Sequence, residues 1–232
     1  MQKIDSDITL SFPFNWEYSI DNGTSWTAVN ADTDVTILAT DLPPNKKIKI
    51  RSNDSNATRL GHLDDNHPRA NISQDEVHFD EINIRNCGSI TDLNNFLNGV
   101  VSDKVIIQRT QNVENLEAML MGSVTKFIHL DKLSAVTNMD SCFESSTFGL
   151  ISPIIATETN VSVRSLFKDA LGDIISKIKI KKGYSTLAGC AFYIAFYNCT
   201  VKAIGDINLT DITPNTDSTF AQLFFLSKIE KL

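Results

Sequence analysis

The chain repeats an apolar pattern every 23 residues, and this interval constrains the fold more than any other feature of the sequence. Four apolar residues, spaced by three, three and one, recur as Ile90, Leu93, Phe96 and Leu97, as Val113, Leu116, Met119 and Leu120, and as Val136, Met139, Cys142 and Phe143. This spacing places four side chains on one face of about two helical turns. It therefore predicts three equivalent helical blocks.

A pair of apolar residues separated by one residue precedes each block and predicts a short strand. The pairs are Ile82 and Ile84, Val105 and Ile107, and Ile128 and Leu130. One strand and one or two helical turns cannot bury their apolar side alone, so such units must stack. The sequence thus predicts a solenoid with a parallel β-ladder on one side, short helices on the other and a continuous core between them.

Looser copies continue the pattern toward the C-terminus, where the step lengthens to about 29 residues. Their apolar positions are Ile154, Ile155, Val163, Leu166 and Phe167, then Ile178, Ile180, Leu187, Cys190 and Phe192 or Phe196, then Ile207, Leu209, Phe220, Leu223 and Phe224. We expect about six units over residues 77–232. Because Met, Phe and Cys alternate with aliphatic residues at these positions, we interpret them as core and expect no cofactor.

Composition and motifs narrow the function classes. The chain has 232 residues, 42% of them apolar, and a formal net charge of -7, so it lacks the basic excess that nucleic-acid binding needs. No apolar run is long enough for a membrane span, and residues 1–10 do not resemble a secretory signal. The four cysteines show no CxxC spacing, and the common nucleophile, phosphate-loop and zinc-protease motifs are absent. We therefore expect a protein without catalytic residues.

Residues 8–52 alternate as antiparallel strands do. Trp16, Tyr18 and Ile20 share one face, and a turn follows at 21–24, where Asn22 and Gly23 adopt positive φ at little cost. The run EYSIDNGTSWTAV with LPPNKKIKIRSN resembles immunoglobulin-like and fibronectin-III-like β-sandwich modules. That resemblance implies a small sandwich-like module, although the segment is shorter than the roughly 100 residues of a complete sandwich.

The segment AVTNMDSCFESS resembles the V-T-N-M-x-x-M-F-x-x-C signature of BspA-type leucine-rich repeats, with Phe143 at the signature aromatic and Ser146 or a neighbour in place of the signature Cys. The two resemblances together imply an α+β fold, in which a sandwich-like module (1–56) and a polar connector (57–76) precede a leucine-rich-repeat solenoid with short helices (77–232). They also imply a bacteriophage virion or bacterial surface protein.

The polar connector contains the one cluster that could bind a metal ion. His and carboxylate side chains together suit zinc or similar ions, and the candidates are His62, Asp64, Asp65 and His67. No second ligand pair has the spacing of a structural zinc site. A solvated loop that ends at Pro68 is therefore the preferred interpretation, and no metal is expected.

Outward-facing strand residues are the candidate binding surface, because solenoids commonly bind partners on extended faces. Residues between or beside the paired apolar positions should form a ladder across the sheet, and these are Asn83, Gln108, His129, Asp131, Lys177, Lys179, Lys181 and Asn208. A solvated sheet without a ligand would show similar polar rows, and the lysines of SKIKIKKG equally suit a solubilising role.

The expected partners are other virion proteins or copies of the chain, which would bind the uncapped C-terminal solenoid edge, or a host-surface protein or glycan. Three functions stay open at this point. The favoured one is a non-enzymatic virion component of the tail, baseplate or capsid surface, assembled in the host cytoplasm. The alternatives are a BspA-like adhesin on the bacterial surface and a fibre enzyme that degrades glycans, for which paired acids such as Asp64 and Asp65 are weak evidence.

Overall fold

A computed structural model describes residues 7–42, 47–61, 77–85, 87–131, 133–156, 161–181, 192–210 and 222–231. It shows a parallel β-solenoid of about five turns preceded by N-terminal antiparallel sheets. The N-terminal strands are β1 (Ile8–Leu10), β2 (Trp16–Ser19), β3 (Thr27–Val29), β4 (Val35–Ile37) and β5 (Lys49–Ser52), with one 3-10 turn at Ala39–Asp41. The solenoid strands are β6 (His78–Phe79), β7 (Ile82–Ile84), β8 (Val101–Ile107), β9 (Val124–Leu130), β10 (Thr147–Ile151), β11 (Ile154–Ala156), β12 (Leu171–Lys181), β13 (Thr200–Thr210) and β14 (Lys228–Lys231).

The N-terminal module consists of two small antiparallel sheets, β3-β2-β5 and β1-β4. Phe12 packs edge-on against Trp16, with ring centroids 5.0 Å apart, and both side chains are buried in the core of the module. The predicted hairpin turn is confirmed, because Asn22 and Gly23 have φ of 64° and 94° and lie between the antiparallel strands β2 and β3.

One parallel sheet forms the flat side of the solenoid, in the order β14-β13-β12-β10-β9-β8-β6, with β7 paired to β8 and β11 paired to β12. Val101 pairs with Val124 and Val124 with Thr147, so the step between these strands is the predicted 23 residues. Thr147 then pairs with Leu171 and Leu171 with Thr200, which confirms that the step lengthens toward the C-terminus.

The predicted α+β class is wrong, because the described chain is nearly all β and the predicted short helices are absent from it. Each helical block is a tight turn segment, and six are described: 92–99, 115–122, 138–145, 162–169, 192–198 and 222–226. Within them, alternate backbone N–H groups bond internally or to the next coil. Phe96 N donates to Leu93 O at 3.2 Å, whereas Leu97 N donates to Met119 O at 2.9 Å. A helix would direct both bonds to residues four positions earlier.

Two left-handed residues in each turn segment explain this hydrogen-bond pattern. Asn95 and Gly99 have φ of 56° and 73° in the first turn segment, and residues with φ of 50° to 67° recur in the other turn segments at Ala118 and Gly122, Ser141 and Ser145, Ser165 and Asp169, Ile194 and Asn198, and Gln222 and Leu226. A left-handed residue reverses the local winding of the chain, so a right-handed helix cannot propagate through it. The segment instead runs as overlapping β-turns.

The predicted core is nevertheless confirmed for the three 23-residue copies and for most described positions of the looser copies, whereas Phe224, also predicted as core, is 43% exposed. The twelve apolar residues of the three 23-residue copies are at most 5% exposed, although the element that carries them is not a helix. Val163, Leu166, Phe167, Phe192 and Phe196 of the looser copies are buried as well, whereas Leu187, Cys190 and Phe220 lie outside the described residues. The apolar spacing therefore identified the residues that are buried on one side of a coil, but it did not determine the backbone conformation.

Residues 57–61 lie against the first turn segment. Thr58 O accepts hydrogen bonds from the N–H groups of Thr91 and Asp92 at 2.7 and 3.0 Å, and Leu60 N donates to Asp92 O at 3.3 Å. Ala57 is buried at the same place. The N-terminal end of the solenoid core is thereby covered by the segment that leaves the N-terminal module.

Candidate functional site

The structure places several of the predicted binding residues in register on the sheet. Asn83 pairs with Ile106 and Ile106 with His129, which forms one row across β7, β8 and β9. A second group lies on β12 and β13, where Lys177 pairs with Asp206 and Lys179 with Asn208. Gln108 and Asp131 follow directly after β8 and β9, and Lys181 is the last residue of β12. The predicted surface thus divides into two polar clusters.

The first cluster is held in place by its own contacts. His129 Nδ1 lies 3.0 Å from Ser152 Oγ, and His129 Nε2 lies 3.2 Å from Asp131 Oδ1. The other carboxylate oxygen of Asp131 accepts a hydrogen bond from Arg109 N at 2.7 Å. Because these polar groups already have partners, a ligand would have to displace them, which weakens this row as a binding site.

Asn83 and Lys177 are engaged in the same way. Asn83 Nδ2 donates to Glu81 Oε1 at 2.8 Å, and this bond is the main reason that the pKa of Glu81 lies below its ordinary value. Lys177 Nζ donates to Asp206 Oδ2 at 2.9 Å, and the Lys177 ammonium lowers the pKa of Asp206. Exposed ion pairs of this kind contribute little to stability, but they fix the charge pattern of the surface.

An apolar surface on the same sheet was missed at the sequence level. Val124 is 47% exposed, Leu171 54% and Ile174 45%, and Phe127 and Leu150 are partly exposed beside them. The register brings them together: Val124 and Leu171 flank Thr147, while Phe127 and Ile174 flank Leu150. We call these five residues, with Gly149 at their centre, the apolar face.

A bulge common to several strands explains why simple alternation did not reveal this face. In β8, Ser102 and Val105 are buried and the two residues between them, Asp103 and Lys104, both remain partly exposed. The register skips the first of these two positions in each strand pair from β8 to β13. Because two successive residues are exposed, the side-chain period of two is broken. The available signal for the bulge was a pair of consecutive exposed positions between buried ones.

Ion pairs border the apolar face at the bulge positions. Lys126 Nζ lies 2.7 Å from Asp103 Oδ1 on one side of Gly149, and Lys202 Nζ lies 2.6 Å from Asp173 Oδ1 on the other. The Lys126 ammonium lowers the pKa of Asp103, which also contacts His78 Nε2 at 2.9 Å, and the Asp173 carboxylate raises the pKa of Lys202. The face therefore has an apolar centre and a charged rim whose charges balance pairwise.

The apolar face continues into a shallow groove of about 710 Å³ on the β12–β13 side. Ile174 and Ala203 line one part of the groove, and Gly205, Asp206 and Lys231 line the rest. Gly205 allows the close approach of the neighbouring strand, because a Cβ there would overlap the backbone carbonyl of Ser176. In the described part of the sheet, the apolar face and the groove thus form one continuous surface, which runs from Val124 to the edge strand β14.

The metal candidates His62, Asp64, Asp65 and His67 lie outside the described residues. Within the ranges that the structure describes, no three His, Cys, Asp or Glu side chains come close enough together to bind an ion. Among the same residues, no helix has the length and hydropathy of a membrane span.

No family model, no curated protein and no solved structure matches the chain.

Proposed function

We propose that this chain is a non-enzymatic interaction protein that binds another protein through the apolar face. The observation that carries the proposal is the exposure of Val124, Leu171 and Ile174 on one face of a regular sheet, on the two strands that flank β10. Contiguous exposed apolar surface with a polar rim is the usual anatomy of a protein-binding site. The apolar face has this arrangement, with Lys126 and Lys202 in its rim.

The charge of the surface favours a protein partner over a nucleic acid. Asp103 neutralises Lys126 and Asp173 neutralises Lys202, so the rim offers no uncompensated row of cations for phosphates. The rim charges can instead exchange partners with opposite charges on a protein surface, which provides orientation. The apolar centre would supply most of the affinity.

The setting that we propose is a virion, where the chain would be a structural component of the tail, baseplate or capsid surface. This part of the proposal is supported by the likeness of the segment around 136–145 to BspA-type repeats, and the same likeness supports a cell-surface adhesin as the alternative. Association with purified particles or with the outer surface of intact cells separates the two settings.

Site-specific photocrosslinking tests the binding face. We would introduce benzoylphenylalanine in place of Leu171 and, as a matched control, in place of Arg164, an exposed residue of a turn segment on the opposite side. The expected result is a discrete adduct from position 171 in the native host and none from position 164. The absence of an adduct at 171, or identical adducts at both positions, would contradict the proposal.

A further inference from the structure

The charges beside the apolar face follow a fixed order across the sheet. The bulge places one residue of each of the strands β8, β9, β10, β12 and β13 at an equivalent position, and in strand order these residues are Asp103, Lys126, Gly149, Asp173 and Lys202. We call them the bulge row. From the central glycine outward, the β9 side carries a positive and then a negative charge, whereas the β12 side carries a negative and then a positive charge. The two halves of the bulge row are therefore opposite in sign.

A row with opposite halves is complementary to a second copy of itself. When a second sheet is laid face to face on the first, a two-fold axis parallel to the strands and through β10 places β9 over the partner's β12 and β8 over the partner's β13. Lys126 then meets the partner's Asp173, and Lys202 meets the partner's Asp103. Gly149 lies on the axis, where a charged side chain would meet its own copy. All four charged side chains are accessible for such contacts, because they are 38% to 75% exposed.

The apolar side chains beside the bulge row match under the same axis. Val124 on β9 would pack on the partner's Leu171 on β12, and Phe127 on the partner's Ile174. Leu150 on the central strand would meet its own copy. Each of these contacts joins two apolar side chains, so the arrangement that pairs opposite charges also buries the apolar face.

The other face-to-face arrangement brings like charges together. A two-fold axis perpendicular to the strands would lay each strand over its own copy, so Lys126 would meet the partner's Lys126 and Asp173 the partner's Asp173. Like charges in contact at an interface oppose association. The order of charges in the bulge row therefore selects the arrangement in which the strands of both copies run in the same direction.

The residues beyond the two ends of the bulge row add no preference. Under the selected axis, Asp80 would lie over the partner's Glu230, which has the same charge, and Glu81 over the partner's Lys231, which has the opposite charge. One unfavourable and one favourable contact offset each other. The selectivity therefore comes from the bulge row.

We propose that the partner of the apolar face is a second copy of this chain, packed sheet on sheet about the two-fold axis parallel to the strands. This inference rests on the proposed function, because it names the occupant of the same face. Strands β8 and β9 are seven residues long, and five such strands cover about 24 Å by about 23 Å, or roughly 550 Å² on each copy. The total of about 1,100 Å² is near the lower bound of specific interfaces, so we expect a dissociation constant in the micromolar range.

Sedimentation of the purified full chain tests the dimer. The wild type should change from monomer to dimer between about 1 and 300 µM. Lys126→Glu and Asp173→Lys should each weaken dimerisation about tenfold or more, because each places like charges opposite one another twice in a dimer. Arg164→Glu, in a turn segment on the opposite side, should dimerise as the wild type does. A wild type that stays monomeric, or equal dimerisation of the wild type and both sheet variants, would overturn the proposal.

A mixture of the two sheet variants tests the pairing of the charges. Lys126→Glu and Asp173→Lys in equal amounts should form a heterodimer with roughly the affinity of the wild type. In this heterodimer the new glutamate meets the new lysine, and the unchanged Lys126 meets the unchanged Asp173. Circular dichroism checks that both variants are folded. Two folded variants that fail to associate when mixed would overturn the proposal.

Photocrosslinking in the purified chain gives an independent measurement with the charges of the wild type. Benzoylphenylalanine in place of Leu171 should give an adduct of twice the chain mass, in which the crosslinked peptide contains Val124. A crosslink between residue 171 of both copies would overturn the proposed axis. A monomer in sedimentation, together with an adduct from position 171 to a different protein in the native host, would overturn the second copy as the occupant and still support the proposed function. The two proposals therefore fail separately.

Discussion

The ring of Phe143 lies parallel to the ring of Phe167, with centroids 5.0 Å apart and an angle of 6° between their planes. Phe196 stacks on Phe167 at 5.2 Å, and Phe224 on Phe196 at 5.1 Å, so four successive coils contribute one ring each to a continuous stack. Leu97 and Leu120 occupy the equivalent positions in the two preceding coils. The stack keeps its spacing although the sequence step varies, because the extra residues leave the turn segments unchanged.

Truncation of Phe167 should be the most destabilising single change in the aromatic stack. Its ring is fully buried and contacts both Phe143 and Phe196, so Phe167→Ala leaves a cavity between two rings. We expect a loss of about 3–5 kcal/mol in the free energy of unfolding, measured by urea denaturation. Phe167→Leu is the matched control and should lose only about 1–2 kcal/mol, because leucine fills this position in two other coils. Equal losses of unfolding free energy for both variants would contradict a stabilising role of the aromatic stack.

A methyl group at Gly205 should strain the backbone of β12. The Cβ of an alanine at this position would overlap the Ser176 carbonyl, and a backbone atom cannot move aside as a flexible side chain can. We expect Gly205→Ala to lower the free energy of unfolding by at least about 1–3 kcal/mol, measured by urea denaturation.

Gly122→Asn is the control for this prediction. Gly122 has a positive φ and open space around its Cα, and Asn198 adopts a φ of 52° at the equivalent position of a later coil. The variant should therefore stay within about 1 kcal/mol of the wild type. A Gly205→Ala protein as stable as Gly122→Asn would show that the contact with Ser176 relaxes without cost.

Buried thiols should make the fold sensitive to alkaline pH. Burial raises the pKa of Cys199 to about 12 from an ordinary value of 9.0, so this thiol stays neutral in the folded chain while it ionises in the unfolded chain above pH 9. Its contribution to stability is complete below pH 9 and is lost as the pH rises toward 12, with a slope of up to about 1.4 kcal/mol per pH unit. Unfolding free energies measured from pH 8 to 11 should fall more steeply for the wild type than for Cys199→Ala. Parallel pH profiles would contradict this.

The N-terminal hairpin should depend on the charge of Asp21. Its carboxylate accepts hydrogen bonds from Ser25 Oγ at 2.5 Å, from the backbone N of Ser25 and from Ser19 Oγ, and these bonds hold the pKa of Asp21 well below its ordinary value of 3.8. The stabilisation is therefore present above pH 3.8 and is lost as the pH falls below it.

Thermal unfolding at pH 7 and pH 2 measures this effect. Asp21→Ala should lower the Tm at pH 7, and the difference from the wild type should shrink at pH 2. Asp21→Asn, which keeps one acceptor oxygen but no charge, should fall between the two at pH 7. A Tm difference that is the same at both pH values would show that the contribution does not come from the carboxylate charge.

The sequence predicted burial better than backbone conformation, and the reason is physical. Spacings such as that of Leu93, Phe96 and Leu97 report which side chains face the core, and both a helix and a compact turn segment satisfy them. Asn95 and Gly99 hinted at left-handed residues, since Asn and Gly tolerate positive φ. Ala118 and Ile194 adopt the same conformation with no such signal. There the stacked neighbours, not local propensity, decide the backbone.

The candidate site was predictable only in part for a similar reason. Residues such as Asn83 and His129 follow from strict alternation, and the register aligns them in one row through Ile106. The apolar face depends on the bulge beside Asp103 and Gly149, and a bulge is set by pairing with neighbouring strands. A sequence read one strand at a time does not contain that information.

The direction of the hydrogen bonds between coils determines how the solenoid can change its length. Turn segments donate toward the following coil, whereas the residues just before them donate back, as Glu114 N does to Thr91 O. A duplicated 23-residue block, inserted whole, would meet the same donors and acceptors on both sides. Shorter insertions within a turn segment would move its carbonyls out of line with the N–H groups of the preceding coil. Gain or loss of entire coils therefore leaves the hydrogen bonds of the remaining solenoid unchanged.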